Sequence, residues 1–377
     1  MTGAPVESLR QVIVDEIRAR GPIPFSRYME LCLYHPQLGY YSRAKEQFGK
    51  AGDFFTSSDV HAVFGRLLAR QFDEMWRAMG SPARIDLIEF GPGRGLFAQD
   101  VFDWGREKFP NFVYALHYTL IEQSATFRKR LEERFADRIA RHKVTVEGGF
   151  DDFRGHFDDA IFFANEFFDA FPVEIVTSEG QVYVSEDNGA FRETFAAPTP
   201  EVHEYLDRYS VRPETGERVE VPLHALGYAS RIAQLAKRGF CIFIDYGYTR
   251  NEQLAGRHRD TLKAFRQHTM SANPFEDPGG QDITSDVNFT ALAGVMTGWT
   301  QEALITQSQF LLGIGEHNQF ADAFADCRLP QEQAKVALQL KHLVTPAGMG
   351  ESFHVLVLSK GVEKGMIRGL SGLSFSR

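Results

Sequence analysis

Cysteine is scarce in this sequence, and its three copies lie far apart, at Cys32, Cys241 and Cys327. They form no CxxC pair and no array with histidine, so neither a disulfide framework nor a structural zinc site is expected. The HExxH and GxSxG motifs are also missing, which leaves metal-dependent and serine-hydrolase chemistry without support. The sequence therefore predicts no metal site.

Positive charge is in the minority, because 41 Lys and Arg residues stand against 50 Asp and Glu residues, for a formal net charge of −9. This balance argues against a nucleic-acid-binding protein. No apolar run is long enough to cross a bilayer, and the N-terminus has no signal-peptide core. Glu7, Asp15 and Glu16 disfavour a transit peptide. We therefore expect a cytoplasmic protein without membrane insertion.

The middle of the chain alternates between short apolar runs and stretches with helical periodicity. The 377 residues, 43% of them hydrophobic, suffice for two domains or one enlarged domain. The predicted strands are Ile85–Phe90, Leu116–Glu122, Val144–Val146, Ala160–Ala164, Phe240–Tyr246 and His354–Ser359. Such alternation is typical of an α/β fold, a parallel sheet with helices on both faces.

Three regions are predicted along the chain. Residues 1–80 form an N-terminal helical and loop extension, with a first helix that ends at Gly21 and a second from about Ser58 to Met79. Residues 81–169 and 239–377 form the core. Residues 170–238 form an inserted α+β subdomain, since β-rich runs there are broken by tight turns. Helices are expected from 287 onward, with Ser285 or Asp286 as the N-cap.

A glycine loop follows the first core strand, with the sequence Glu89-Phe90-Gly91-Pro92-Gly93-Arg94-Gly95. Glycines at a strand-to-helix turn let backbone amides approach a ligand. The dinucleotide fingerprint needs a sixth-position glycine, which is Leu96 here, and Pro92 removes an amide. A ligand that carries a carboxylate and an ammonium, such as S-adenosylmethionine, fits better. Glu89 either holds that ammonium or has a structural role.

Acidic residues after the next two strands are further candidates for cofactor binding. Glu122 ends the second strand, where a carboxylate can accept hydrogen bonds from ribose hydroxyls. The alternative is a carboxylate at a helix N-terminus, since Ser124 could cap the next helix. Asp151 and Asp152 could reach an adenine amino group or lie in a solvated turn.

The fourth strand ends in the sequence Asn165-Glu166-Phe167-Phe168-Asp169, and we assign Asn165, Glu166 and Asp169 to the catalytic edge. Two carboxylates among aromatic residues need a cation, which a guanidinium substrate or an internal arginine would supply. Full deprotonation of an arginine acceptor at pH 7 would cost roughly 8 kcal/mol. A carboxylate or hydroxyl acceptor faces no such barrier, so the residues alone leave the acceptor open. Asp282 is the functional candidate in a later polar cluster.

Several ordered motifs together resemble the MidA family of class I S-adenosylmethionine-dependent methyltransferases. The resemblance runs through Leu33-Tyr34-His35-Pro36-Gln37-Leu38-Gly39-Tyr40-Tyr41-Ser42, Gly52-Asp53-Phe54-Phe55-Thr56-Ser57, the glycine loop, Ala164–Pro172, Ile244-Asp245-Tyr246-Gly247 and Gly348-Met349-Gly350. It implies a Rossmann-like methyltransferase sheet with an N-terminal helical extension and an insert over the active-site edge. The family's acidic residue near the start of a later helix is Asn288 here.

The resemblance also implies a cofactor, a reaction and a partner. The cofactor is S-adenosyl-L-methionine, bound by Glu89, Gly91, Gly93, Gly95, Glu122, Gly52, Asp53, Thr56, Asp151 and Asn165. Mitochondrial members methylate an arginine of a respiratory complex I subunit, so a protein substrate that bears an arginine is expected. The alternatives are a small-molecule O- or N-methyltransferase and a cofactor-binding assembly factor without turnover. A dehydrogenase is disfavoured by Leu96.

Overall fold

The computed structural model describes residues 8–42, 62–150, 153, 155–266, 269–271 and 273–376. The α-helices are α1 (Leu9–Arg20), α2 (Phe25–Tyr34), α3 (Ala62–Ala78), α4 (Leu96–Lys108), α5 (Pro110–Ala115), α6 (Ala125–Arg134), α7 (Ala136–Ala140), α8 (Pro200–Tyr209), α9 (Leu223–Ile232), α10 (Arg250–Leu254), α11 (Phe289–Val295), α12 (Gln307–Glu316), α13 (Ala321–Phe324), α14 (Pro330–Val344) and α15 (Lys364–Ile367). Short 3-10 helices cover Tyr40–Ser42 and Ser371–Ser376.

The strands divide among a large sheet and two smaller ones. They are β1 (Ile23–Pro24), β2 (Ile85–Phe90), β3 (Leu116–Ile121), β4 (Val144–Glu147), β5 (Phe157–Asn165), β6 (Glu174–Thr177), β7 (Gly180–Asp187), β8 (Ala190–Ala196), β9 (Arg218–Val221), β10 (Ala236–Tyr248), β11 (Lys263–Arg266), β12 (Thr269–Ser271), β13 (Asp282–Thr284), β14 (Val287–Asn288), β15 (Thr300–Thr306) and β16 (Phe353–Lys360). Strands β11, β12 and β13 form one of the small sheets.

The large sheet has the order β15-β16-β10-β5-β2-β3-β4, with β14 attached to β10. Strands β2, β3, β4, β5 and β10 are mutually parallel, while β16 runs antiparallel to both of its neighbours. The predicted α/β fold is confirmed. Because the strands are parallel, the polar residues that follow β2, β3, β5 and β10 meet at one edge of the sheet.

Both faces of the large sheet are covered, as its continuous apolar strands require. On β2, Leu87 faces a core built with α3, α4 and α12, whereas Ile88 faces the core that includes α9 and α11. Both side chains are fully buried. Because both faces are covered, ligand-binding groups of this sheet are expected at the ends of its strands.

A second sheet has the order β1-β7-β6-β9, with β8 paired to β7. Its strand β1 belongs to the N-terminal region, and Ile23 of β1 pairs with Val184 of β7. Helices α1 and α2 pack on this sheet in a shared core. The predicted antiparallel strands between Val173 and Phe195 are present as β6, β7 and β8. Within the segment 170–238, helix α9 packs on the large sheet instead.

Two details near the C-terminal half differ from the sequence prediction. Helix α11 begins at Phe289, and its N-cap is Asn288, whose Oδ1 accepts a hydrogen bond of 3.1 Å from the Ala291 amide. Ser285 and Asp286 do not cap it, because they precede strand β14, and the Asp286 carboxylate is paired with Lys263. The predicted last strand at His354–Ser359 is present as β16, whereas β15, which forms one edge of the large sheet, was not predicted.

Candidate active site

The glycine loop connects β2 to α4 with three left-handed residues. Gly91, Gly93 and Gly95 have φ values of 66°, 51° and 71°. The loop is closed by a 2.8 Å hydrogen bond from the Gly95 amide to the Pro92 carbonyl. A Cβ atom at Gly95 would lie 2.5 Å from Leu131 Cδ2, whereas nothing lies within 4 Å of one at Gly93. Gly95 thus serves packing, and Gly93 borders open space.

Glu89 lies under this loop, within β2, and is 5% exposed. The Tyr118 hydroxyl donates a 2.8 Å hydrogen bond to Glu89 Oε2. Burial raises the pKa of Glu89 to about 8, and the neighbouring Glu122 carboxylate contributes to this rise. A cationic group bound here would stabilise the ionised carboxylate and lower this pKa. The interpretation of Glu89 as an ammonium-binding group stays a prediction.

Glu122 follows β3 and contacts the glycine loop directly. Its Oε1 accepts a 2.8 Å hydrogen bond from the Ser124 amide, and desolvation raises its pKa to about 7. The amides of Ser124 and Gly93 oppose that shift by stabilising the carboxylate. Ser124 is the N-cap residue of α6, but its side chain makes no capping hydrogen bond. Glu122 therefore joins the loop to the start of α6, the position expected for a ribose-binding carboxylate.

The turn after β5 carries the predicted catalytic residues. Asn165 Nδ2 donates a 3.1 Å hydrogen bond to Glu166 Oε1, while the buried Asn165 Oδ1 has no hydrogen-bond partner within the described part of the chain. Glu166 has a φ of 50°, which is unusual for a residue other than glycine. A buried acceptor without a partner is costly, so it marks a place for a ligand's donor.

Asp169 is 7% exposed, and its Oδ2 accepts a hydrogen bond from the Tyr246 hydroxyl. Burial raises the pKa of Asp169 to about 6, against the lowering effect of the Tyr246 hydroxyl. Among the residues that the structure describes, no arginine or lysine forms an ion pair with Asp169. Within the described ranges, the internal salt bridge considered as the alternative for Asp169 is therefore not formed.

Asp245 is a central residue of the site that the sequence did not assign to it. It is 1% exposed, and its Oδ2 accepts hydrogen bonds from the amides of Phe167, Phe168 and Asp169 at 3.1, 3.0 and 3.3 Å. Its Oδ1 accepts one from the Tyr246 amide at 3.0 Å. All four partners are donors, so the geometry requires a carboxylate, although burial and the neighbouring acids raise its pKa. The Ile-Asp-Tyr-Gly motif that contains Asp245 was the sequence signal from which its role could have been predicted.

The remaining predicted residues fall into two groups. Asp282 is 3% exposed, and its Oδ1 accepts a 3.0 Å hydrogen bond from the Tyr41 hydroxyl. Gly52, Asp53, Thr56 and Asp151 lie outside the described residues. In the ranges that are described, no group of three His, Cys, Asp or Glu side chains could hold a metal ion. No described helix is long and apolar enough to span a membrane.

The glycine loop, Glu122 and the turn after β5 form one continuous edge. A Cβ atom on Gly91 would lie 2.9 Å from the Phe167 ring, so the turn that carries Glu166 and Asp169 packs directly on the loop. The open space at Gly93 and the orphaned Asn165 oxygen fit a ligand with hydrogen-bond donors at this edge. A parallel sheet with a glycine loop and acidic residues at the carboxyl ends of its strands is typical of enzymes that bind nucleosides.

Comparisons with known proteins identify that class as the S-adenosylmethionine-dependent methyltransferases. The family described as "Putative S-adenosyl-L-methionine-dependent methyltransferase" matches residues 67–305. The chain belongs to this family, and the resemblance to the MidA family is confirmed. Its cofactor is accordingly S-adenosylmethionine.

Relatives and solved structures cover nearly the whole chain. The mitochondrial protein arginine methyltransferase NDUFAF7 homolog of Drosophila melanogaster is 29% identical over 94% of this chain and 85% of its own. The human protein arginine methyltransferase NDUFAF7 is 27% identical over 94% and 84%. A Burkholderia thailandensis crystal structure bound to S-adenosyl-homocysteine is 27% identical, with a TM-score of 0.78 over 97% of this chain and 94% of that one.

The raised pKa of Glu122 predicts that cofactor binding depends on pH. A carboxylate that accepts hydrogen bonds from ligand hydroxyls must be ionised, and a pKa of about 7 makes ionisation rise between pH 6 and pH 8. We expect S-adenosylhomocysteine to bind about tenfold more tightly at pH 8 than at pH 6, measured by isothermal titration calorimetry.

The control is Glu122→Gln, which keeps the shape and removes the titration. Its affinity should be lower and should change less across this pH range, where Glu89 and the ligand itself still titrate. An equally steep pH dependence in this variant would show that another group is responsible.

Proposed function

We propose that the protein transfers a methyl group to an arginine side chain of a protein substrate. The relatives named as protein arginine methyltransferases support this acceptor. The observation that carries the proposal is the turn of Glu166 and Asp169, two acids that pack against the cofactor loop through Phe167. Carboxylates at this edge attract a guanidinium and orient it through charge-assisted hydrogen bonds.

Each acid of the turn has a distinct task in this proposal. S-adenosylmethionine supplies an electrophilic methyl group on a sulfonium. Glu166, bonded to Asn165 Nδ2, accepts a hydrogen bond from the guanidinium and stabilises the positive charge until its proton departs to solvent. Asp169, held by the Tyr246 hydroxyl, fixes the plane of the guanidinium. Alignment supplies much of the rate, because a carboxylate cannot deprotonate arginine in advance.

Product analysis tests the acceptor. The protein is incubated with S-adenosyl-[methyl-³H]methionine and an extract from cells that lack its gene, and the labelled protein is hydrolysed in acid. We expect tritium in methylarginine. Glu122→Ala, which lacks the ribose-binding carboxylate, is the control and should incorporate little label.

The other outcomes contradict the proposal in distinct ways. Base-labile label in protein would indicate a carboxylate acceptor, and label only in the small-molecule fraction would indicate a small-molecule methyltransferase. Binding of S-adenosylhomocysteine without any incorporation would indicate a cofactor-binding assembly factor.

A further inference from the structure

Two tyrosines of the N-terminal region form a stacked pair beside the catalytic turn. The rings of Tyr34 and Tyr41 have centroids 5.5 Å apart and planes inclined by 26°. The Tyr34 hydroxyl donates a 2.9 Å hydrogen bond to the Ala170 carbonyl, next to Asp169 in the chain. The Tyr41 hydroxyl donates to Asp282 Oδ1. The pair therefore spans the gap between the turn after β5 and strand β13.

Acidic groups surround this pair. The carboxylates of Asp282, Asp169 and Glu122 all contribute to raising the pKa of Tyr34, after the larger effect of burial. Asp282 and Asp169 act on Tyr41 in the same direction. The hydrogen bonds of the pair thus join it to the turn after β5 at Ala170 and to Asp282. Tyr34 and Tyr41 are half-buried as residues, whereas Asp282 is buried.

We infer that Tyr34, Tyr41 and Asp282 form a subsite that binds the guanidinium group of the acceptor; this inference rests on the proposed arginine methylation. A guanidinium is planar and delocalised, so it can lie against an aromatic face while it donates hydrogen bonds to a carboxylate. An ammonium is a compact, strongly hydrated charge that uses such a surface less well. The subsite assigns to the N-terminal region a role in acceptor selection.

Peptide binding tests the subsite without any need to know the natural acceptor. The protein saturated with S-adenosylhomocysteine is titrated with acetyl-Gly-Arg-Gly-amide and with the same peptide containing citrulline, which keeps the shape and removes the charge. We expect the arginine peptide to bind about tenfold more tightly to the wild type. In Asp282→Asn this preference should fall to about twofold or less.

Two further variants keep the test sharp. Tyr41→Leu removes one ring and should also weaken the preference for the arginine peptide over the citrulline peptide. It should likewise weaken the preference for the arginine peptide over the same peptide with lysine. Asp158→Asn is the matched control, since its exposed carboxylate pairs with Lys237 at the opposite end of β5. This control should retain the full preference. Unchanged binding of S-adenosylhomocysteine shows that each variant is folded.

Equal binding of the arginine and citrulline peptides to the wild type would overturn the subsite, as would undetectable binding of both at about 10 mM. A full preference in both Asp282→Asn and Tyr41→Leu would also overturn it. These results are distinct from failure of the proposed function, which is read from the labelled hydrolysate. If the wild type prefers the arginine peptide but the hydrolysate contains no methylarginine, the subsite binds cations and arginine is not the methylated group.

Discussion

Replacement of Asp245 with asparagine is expected to lower the rate of methyl transfer about a hundredfold or more. One carboxylate oxygen accepts from the three consecutive amides of Phe167, Phe168 and Asp169, and the other accepts from Tyr246. An asparagine has one acceptor oxygen, so its NH₂ group must face at least one amide donor. Either orientation leaves buried N–H groups unpaired.

The consequence falls on the geometry of the catalytic turn. Glu166 adopts a φ of 50°, a conformation that costs about 1–2 kcal/mol for an L-residue and persists only where its surroundings enforce it. The amides bound by Asp245 follow Glu166 directly, so their release lets the turn relax and moves both acids. We expect the affinity for S-adenosylhomocysteine to fall much less than the rate of methyl transfer, because Asp245 bonds the turn and not Glu122 or the glycine loop.

A second buried aspartate provides the control for Asp245→Asn. Asp86 is 6% exposed, lies on the parallel strand β2 and pairs with Arg84 at the edge opposite the site. Asp86→Asn should lower the melting temperature without a comparable loss of methyl transfer per folded protein. Equal losses of activity in the two variants would show that Asp245 acts through general stability rather than through the turn.

The local part of this site could be predicted from sequence. An apolar run followed by closely spaced glycines fixes a strand, a loop and a helix start within a dozen residues, so the loop that carries Gly91, Gly93 and Gly95 was predictable from sequence. The same holds for Asn165 and Glu166, which follow a continuous apolar strand. In each case the signal and the structure that it specifies lie in the same short segment.

The missed features depend on contacts between distant segments. Asp245 bonds amides 76 to 78 residues away, and a strand-end acid alone does not show what it holds. Strand β15 is interrupted by a bulge between Gln301 and Ala303, and its place at the sheet edge is set by its pairing with β16. The sequence predicted Ser285 or Asp286 as the N-cap of α11, but the Asp286 carboxylate pairs with Lys263 of strand β11, and Asn288 caps the helix.

Substitutions at two glycines of the loop are expected to have different effects, one mainly on stability and the other mainly on ligand binding. We expect Gly95→Ala to lower the free energy of unfolding by about 3 kcal/mol. A Cβ atom there would lie 2.5 Å from Leu131 Cδ2 and 2.9 Å from Phe135 Cε2, in a packed core, and the left-handed backbone adds strain. Chemical denaturation of the wild type and of Gly95→Ala, both without ligand, measures this loss.

Gly93→Ala is the matched variant, with the same chemical change and the same left-handed backbone but with nothing within 4 Å of its Cβ. Its free energy of unfolding should fall by only about 1 kcal/mol, the cost of the backbone conformation. Its methyl group would occupy the open space next to the amide that bonds the Glu122 carboxylate, so S-adenosylhomocysteine should bind at least about tenfold more weakly. The strain of the backbone is common to both variants. The difference between their losses in free energy of unfolding therefore measures the effect of the atoms around each Cβ atom. A Gly93→Ala protein with wild-type affinity would place the ligand elsewhere along this edge, and an equally destabilised one would mean that the loop is packed on both sides.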